Sequence, residues 1–262
     1  MTYQGKVVWI TGASSGLGEA MAKAFNARGA DLILSSRNTE ALEKVRLSLD
    51  ATKGRSAVIP LDLTEYQAFG DLARQAVQVF GQVDILVNNG GISQRSLAVD
   101  TPFEEERRLL ETDLIGTLAL TKAILPEILA RKGQLVVIGS VMGKINTKYR
   151  SAYAAAKHGL TGYFESLRLE IAALGVNVCL ILPGFIATQI TRNALGATPD
   201  LIRESQNNQG MSAARFAEKA LDAIQRRKGN VYIGGFREWL AMVVKRLSPA
   251  LFDLLIVHQK VT

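Results

Sequence analysis

The sequence predicts an α/β fold: one doubly wound parallel sheet of about seven strands with helices on both faces, followed by a C-terminal helical extension. Three observations carry that prediction. Short, continuously apolar runs recur along the chain, as strands buried on both faces require. Longer stretches with helical spacing separate them. A glycine-rich turn lies directly between the first run and the first helical stretch, the place where such sheets bind phosphates.

The strand candidates are 7–10, 32–34, 57–59, 85–87, 135–138, 176–182 and 231–233. The helical stretches are 20–28, 40–51, 66–80, 114–130 and 153–174. No low-complexity linker or solenoid repeat interrupts them, so residues 1–262 read as a single domain. Two regions break the alternation. Residues 186–211 are polar and turn-rich and follow a strand, which marks them as a lid at the carboxyl edge of the sheet. Residues 236–262 form an apolar C-terminal extension interrupted by Lys245, Arg246 and Pro249.

A chain of 262 residues, 48% of them hydrophobic, suits one large core and argues against disorder. The net charge of +7 is compatible with an anionic cofactor. No basic run with interleaved aromatics lies on one element, so nucleic acid is not an expected partner. The single cysteine, Cys179, lies inside an apolar run and reads as core. With two histidines and no ligand-like spacing, no metal is expected. Residues 1–6 lead straight into a strand pattern, with no signal peptide and no span-length apolar stretch. A cytoplasmic protein is expected, with peripheral membrane contact through 236–262 left open.

Thr11-Gly12-Ala13-Ser14-Ser15-Gly16-Leu17-Gly18 follows the first strand and opens the first helix. A pyrophosphate must approach backbone N–H groups at a helix N-terminus, and Cβ atoms would obstruct it. Gly12, Gly16 and Gly18 remove them, and Ser14 and Ser15 add hydroxyl donors. The second strand ends Leu34-Ser35-Ser36-Arg37-Asn38. An acid there would accept from a ribose 2′-hydroxyl; Arg37 instead suits a 2′-phosphate, which selects NADP(H).

The three residues between Gly12 and Gly16 distinguish this turn from the usual dinucleotide fingerprint. The pattern resembles the short-chain dehydrogenase/reductase family, a Rossmann-type fold, over residues 5 to about 235. The wording from Tyr149 to Tyr153 and from Lys157 to Arg168 looks like the branch of 11-beta-hydroxysteroid-dehydrogenase-like reductases. Several of that branch handle lipophilic carbonyls. The resemblance implies that Asp62, with Leu63 beside it, meets the adenine. Asn88-Asn89-Gly90-Gly91 matches the family's Asn-Asn-Ala-Gly turn with Gly90 in place of alanine. Pro183-Gly184-Phe185-Ile186-Ala187-Thr188 matches the turn that meets the nicotinamide, with the Ile186 backbone and the Thr188 hydroxyl on its carboxamide.

Tyr153 and Lys157 are four apart on a helix and share a face. Ser140 ends the strand thirteen residues before Tyr153, which is the family's signature spacing. Carbonyl reduction adds hydride to carbon and a proton to oxygen, so a tyrosine acid needs cations that stabilise its anion. Lys157 supplies one, and Ser140 holds the oxygen where charge develops. By resemblance, Tyr153 and Lys157 also meet the nicotinamide ribose. The family often has a fourth member, an asparagine twenty-seven residues before the serine; here that position is Asp113. Aspartate accepts but cannot donate, and its charge would pair with Lys157. His158 faces away and reads as structural.

Ser140, Ser93, Met142, Tyr149 and Phe185 are the candidate substrate contacts, joined by Gln94, Ile145 and the lid. They suggest a mainly apolar carbonyl or alcohol. For the extension, three arrangements compete: packing on its own core, a subunit interface, and membrane contact. A homodimer or homotetramer is expected, with 114–130 and 153–174 as the usual family contact. The rival function is a catalytically weak NADP(H) sensor or scaffold, with Asp113 marking lost catalysis; intact Ser140, Tyr153 and Lys157 argue against it.

Overall fold

In the computed structural model, which describes residues 2–188, 194–196 and 210–257, the expected apolar runs are strands. They are β1 (Val7–Thr11), β2 (Asp31–Ser35), β3 (Ser56–Val58), β4 (Ile85–Asn88), β5 (Gln134–Ile138) and β6 (Asn177–Pro183). A two-stranded pair, β7 (Ile186–Ala187) and β8 (Met211–Ser212), stands apart from the sheet, and β9 (Asn230–Ile233) completes it. The seven strands lie in the order β3-β2-β1-β4-β5-β6-β9, every pair parallel.

Successive side chains of a strand point to opposite faces, so a doubly covered sheet needs apolar residues at every position. In β1, Val8 and Ile10 join one core with Phe25 of α1 (Gly16–Ala27), Leu42 of α2 (Thr39–Leu47) and Phe216 of the helix Ala213–Gln225. Val7 and Trp9 join the other, with Phe69 of α3 (Phe69–Phe80), Ile124 of α5 (Gly116–Ala130) and Phe164 of α6 (Ser151–Ile171). Trp9, Phe25, Phe69, Phe164 and Phe216 are all fully buried, each worth about 1.5–3 kcal/mol in apolar transfer. Cys179 is buried in β6, and burial pushes its thiol up to about 12. The strand order reverses between β1 and β4, which opens a crevice at the carboxyl edge.

Helices α4 (Phe103–Leu110) and α7 (Ala213–Gln225) were not among the expected stretches. In α7, Phe216, Ala217, Ala220, Leu221, Ala223 and Ile224 make a buried stripe at helical spacing. Helix α4 buries only Leu109; acids in its first turn and Arg107 and Arg108 in its last complement the helix dipole instead. A π-helical turn, Glu111–Ile115, joins α4 to α5.

The extension forms α8 (Phe236–Leu247) and α9 (Pro249–Val257). It anchors through Phe252, which is 3% exposed and packs with Val141 and Ile145, and a 2.8 Å ion pair of Lys245 with Asp253 ties its two helices together. Phe236, Trp239, Leu247 and Leu254 stay exposed. No described helix is long and apolar enough to cross a membrane. The lid region is closed at its base by β7 and β8, with Ile186 opposite Met211; residues 189–193 and 197–209 of it lie outside the described residues.

Candidate active site

Strand β1 ends at Thr11, and the chain turns through Gly12 at φ +63°, a conformation that L side chains rarely adopt. A Cβ on Gly12 would also stand 2.8 Å from the Gly90 Cα. The turn after β4 therefore lies directly on the turn after β1. Hydrogen bonds lock the two together. Thr11 Oγ1 accepts the N–H groups of Asn89 (3.0 Å) and Gly90 (2.8 Å), and Asn89 Nδ2 donates to the Thr11 carbonyl (3.0 Å). An alanine at position 90 would bring its Cβ to 2.9 Å from Leu63 Cδ1, so the Leu63 side chain occupies the space a methyl would need. Gly18 packs the first turn of α1 under the loop: a Cβ there would overlap the Gly12 carbonyl oxygen. Ser15, at the N-cap of α1, makes no side-chain capping bond, so the helix end points its N–H groups toward the crevice.

That crevice is a cleft of about 470 Å³. Ser14, Ser15, Gly16 and Leu17 line one end with Ser36, Arg37 and Asp62. Leu63 and the Asn89-Gly90-Gly91 turn form its middle. Ser140, Tyr153, Lys157, Pro183, Gly184 and Ile186 also line the cleft, with Ser93, and Thr188 lies beside Gly16. One concavity thus holds nearly all the residues singled out from sequence. Gly18 lies beneath the cradle instead of on the wall. Met142, Tyr149 and Phe185 are not on the cleft wall. Met142 packs beside Leu109, Tyr153 and Phe252, and Phe185 lies against Gly210. Tyr149 sits at φ +65°, a strained position for a non-glycine residue.

The cradle fits a dinucleotide. It offers an uncapped helix end, a floor without Cβ atoms and cationic Arg37 at its far end. Asp62 spends its Oδ1 on the Thr64 N–H (2.9 Å) and hydroxyl (2.8 Å). Burial works against its charge, but those bonds and the Arg37 and Arg108 cations hold its carboxyl below the ordinary aspartate value. Sequence reasoning missed Arg108, which reaches the cleft from α4. The run of three acids and two arginines in that helix reads as a solvated surface.

In the same cleft, β5 delivers Ser140 and α6 delivers Tyr153 and Lys157. Ser140 Oγ accepts the Met142 N–H at 3.1 Å, which leaves its hydroxyl hydrogen to be donated elsewhere. Lys157 Nζ stands 5.3 Å from the Tyr153 ring centre. The Arg150 guanidinium lies 5.4 Å from the same ring centre and donates to Ser93 Oγ at 2.9 Å. Two cations therefore lie within about 5.5 Å of the tyrosine ring centre. His158 Nδ1 lies 2.9 Å from the Ala154 carbonyl oxygen one turn back.

Asp113 sits in the middle of the π-helical turn and is completely buried. π-turns bulge one residue out of the helical register, and this one drives the carboxylate inward. Its Oδ1 accepts the Ile92 N–H at 2.7 Å and its Oδ2 forms an ion pair with Lys157 Nζ at 3.0 Å. Gly91 makes the approach possible, since a Cβ there would meet Asp113 Oδ2 at 2.9 Å. Burial opposes the Lys157 charge, but Asp113 and Tyr153 together hold the ammonium above the ordinary lysine value. Burial also raises the Asp113 carboxyl, against the pull of Lys157 and of the Ile92 N–H.

A parallel doubly wound sheet, a glycine cradle at its switch point and a serine–tyrosine–lysine cluster across the same cleft define a dinucleotide-binding oxidoreductase. Residues 6–198 match the model of a family described as short chain dehydrogenase, and the chain belongs to that family. It is 38% identical over 255 residues to a cattle protein (Bos taurus), dehydrogenase/reductase SDR family member 7B, covering 94% of this chain and 78% of that one. Levodione reductase superposes with a TM-score of 0.82 at 26% identity, covering 90% of this chain and 98% of that chain. A short-chain dehydrogenase/reductase from Burkholderia phymatum, solved in complex with NAD, has the same fold (TM-score 0.85, 22% identity, 100% and 99% covered).

Proposed function

We propose that this chain is an NADP(H)-dependent carbonyl reductase and alcohol dehydrogenase acting on an apolar substrate, with Tyr153 as the acid/base. The observation that carries this reading is the convergence of Ser140, Tyr153 and Lys157 on the cleft that also contains the glycine cradle.

The cofactor would lie with its pyrophosphate on the cradle and the α1 N-terminus and its 2′-phosphate beside Ser36 and Arg37. Asp62 and Leu63 would flank the adenine, and Pro183, Gly184, Ile186 and Thr188 the nicotinamide. When bound, it supplies hydride to, or takes it from, the substrate carbon. The protein's own work is to hold the oxygen and move the proton. Ser140 donates its hydroxyl hydrogen to the substrate oxygen. Tyr153 gives that oxygen a proton in reduction and takes it back in oxidation. Lys157 and Arg150 stabilise the tyrosinate left behind. Asp113 orients Lys157 and takes the place of the family's amide in the route by which a proton returns from solvent. Arg37 and the absence of an acid after β2 support NADP(H) over NAD(H). The substrate is a small-molecule carbonyl or alcohol, and the likeness to the hydroxysteroid-dehydrogenase branch supports a lipophilic one. Self-association as a homodimer or homotetramer in the cytoplasm completes the reading, with the exposed apolar residues of α8 and α9 as a surface for a subunit contact or for peripheral membrane contact.

The test is oxidation of NADPH and of NADH by the purified chain against a panel of ketones and aldehydes graded in apolarity. Turnover with NADPH on an apolar ketone supports the proposal. Cofactor binding without turnover on any carbonyl or alcohol would favour the sensor or scaffold.

A further inference from the structure

Helix α6 presents Tyr153 in its first turn, where helices begin with unbonded N–H groups that need acceptors. Its N-cap residue, Arg150, makes no side-chain capping bond. A residue nearly sixty positions away supplies the acceptor instead. Gln94 Oε1 accepts the N–H of Ala152 at 3.0 Å and that of Tyr153 itself at 3.4 Å. Its Nε2 points the other way, to Thr101 Oγ1 (3.1 Å) and Ser96 Oγ (3.5 Å), two hydroxyls 2.6 Å apart. With hydroxyls on one side and N–H groups on the other, the amide has one orientation. The side chain is 1% exposed and off the cleft wall, so it does not serve as a substrate contact.

The backbone around Gln94 does a second thing. Ser93 O accepts the Leu195 N–H at 2.7 Å, and the Leu195 carbonyl accepts the Arg95 N–H at 2.8 Å. These bonds make Gln94 and Leu195 a parallel bridge. Gly196 follows with its Cα directly over Ser96, where a Cβ would come to 2.5 Å from the Ser96 Cβ. Leu195 lines the cleft and is part of the lid region. The segment 93–96 is therefore clamped on one side to the start of the catalytic helix and on the other to the lid.

We propose that Gln94 is a positioning residue for Tyr153: it is the remote N-cap of α6, and it sets the phenol's place relative to the lid segment at Leu195. This rests on the reading of Tyr153 as the acid/base, and it adds a residue that does not touch substrate. A side chain that fixes the tyrosine's own N–H acts on the reaction through placement, so its loss falls on kcat while cofactor binding at the far cradle is untouched.

The experiment uses the full chain, NADPH and whichever ketone of the panel wild type reduces, together with amide hydrogen exchange. Gln94→Leu removes the acceptor. The expected result is a kcat lower by about ten- to a hundredfold, with KM for NADPH unchanged and faster exchange at the amides of 152, 153 and 195. The amide of Ala154, bonded to the Arg150 carbonyl at 2.7 Å, is the internal control. Gln94→Glu keeps an acceptor of the same length at a helix N-terminus and is expected to restore slow exchange at 152 and 153. Gln94→Asp, one methylene shorter, is expected to behave like Gln94→Leu, and it stands in if Gln94→Leu does not fold. Wild-type kcat in Gln94→Leu or Gln94→Asp, or exchange at 152 and 153 no faster than in wild type, overturns the proposal. Should wild type reduce no carbonyl at all, the functional reading fails, and the exchange result alone then decides the role of Gln94.

Discussion

Replacing Asp113 by asparagine separates the charge of this carboxylate from its shape. Asparagine keeps an oxygen for the Ile92 N–H and removes one negative charge 3.0 Å from Lys157 Nζ. Lys157 in turn stands 5.3 Å from the Tyr153 ring centre, so the Asp113 carboxylate lies no more than about 8 Å from that ring. At an effective dielectric constant of about 20, a unit charge at about 8 Å opposes an anion on Tyr153 by about 2 kcal/mol. Removing it eases formation of the tyrosinate by that amount. The acidic limb of the pH–rate profile for alcohol oxidation, where the rate rises as Tyr153 loses its proton, should then move to lower pH by about 1 to 1.5 units. Asp113 also acts on Lys157, which gives a second readout in stability. The lysine's folded value lies above the unfolded one, so its charge contributes stability that is fully present below about pH 10.4 and lost as pH rises through the folded value. Without Asp113 that contribution is reduced, most where it was fully present, so the melting temperature should fall more at about pH 7 than at about pH 10. The assay is NADP⁺ reduction by a secondary alcohol across pH 6 to 10, beside thermal melts. A variant that melts as wild type does and whose profile overlays it within about 0.3 pH unit would refute the electrostatic role given to Asp113.

Arg37→Ala should raise KM for NADPH about ten- to a hundredfold while leaving KM for NADH nearly unchanged, because only the former loses a charge-assisted contact to a 2′-phosphate; steady-state kinetics with both cofactors checks it, and equal rises for both would remove Arg37 from cofactor selection. Gly18→Ala should abolish NADPH binding or prevent folding, because the new Cβ would overlap the Gly12 carbonyl oxygen; fluorescence titration and a thermal melt read the outcome, and wild-type values in both would contradict the packing described for the cradle. Phe252→Ala should destabilise the chain by about 3 kcal/mol, since the ring is 3% exposed between the extension and the 141–145 segment; denaturant unfolding measures it, and a change under about 0.5 kcal/mol would mean that α8 and α9 are not part of the folded unit.

Much of this was legible in the residues. Continuous apolar runs announced a sheet covered on both faces because burial on both sides leaves no polar position, and all seven runs became strands. The cradle was legible because glycine is required by geometry, at Gly12 by a positive φ and at Gly18 by close packing. Helix α4 was not, since it buries one residue and its charges look like a solvated loop. Helix α7 was legible in principle, through its stripe from Phe216 to Ile224. Asp113 could be singled out only as a departure from a pattern. Its pairing with Lys157 depends on a π-turn that no local signal in Glu111–Ile115 announces. Gln94 was seen only as a pocket neighbour. Capping across nearly sixty residues is a tertiary fact, and no spacing rule reaches it. Met142, Tyr149 and Phe185 lie off the cleft wall because tertiary packing decides it: Met142 packs against the clusters of Tyr153 and Phe252, and Phe185 lies against Gly210.

The central claim is that Tyr153 moves the proton while the cradle independently holds the cofactor. It is tested most directly with NADPH deuterated at the transferable position, an apolar ketone, and wild type beside Tyr153→Phe, reading deuterium in the product alcohol by mass spectrometry and NADPH binding by calorimetry. The expected result is deuterium in the wild-type product and a rate lower by a factor of about 10² to 10⁴ in Tyr153→Phe at unchanged NADPH affinity. Deuterium transfer at the wild-type rate by Tyr153→Phe would contradict the account.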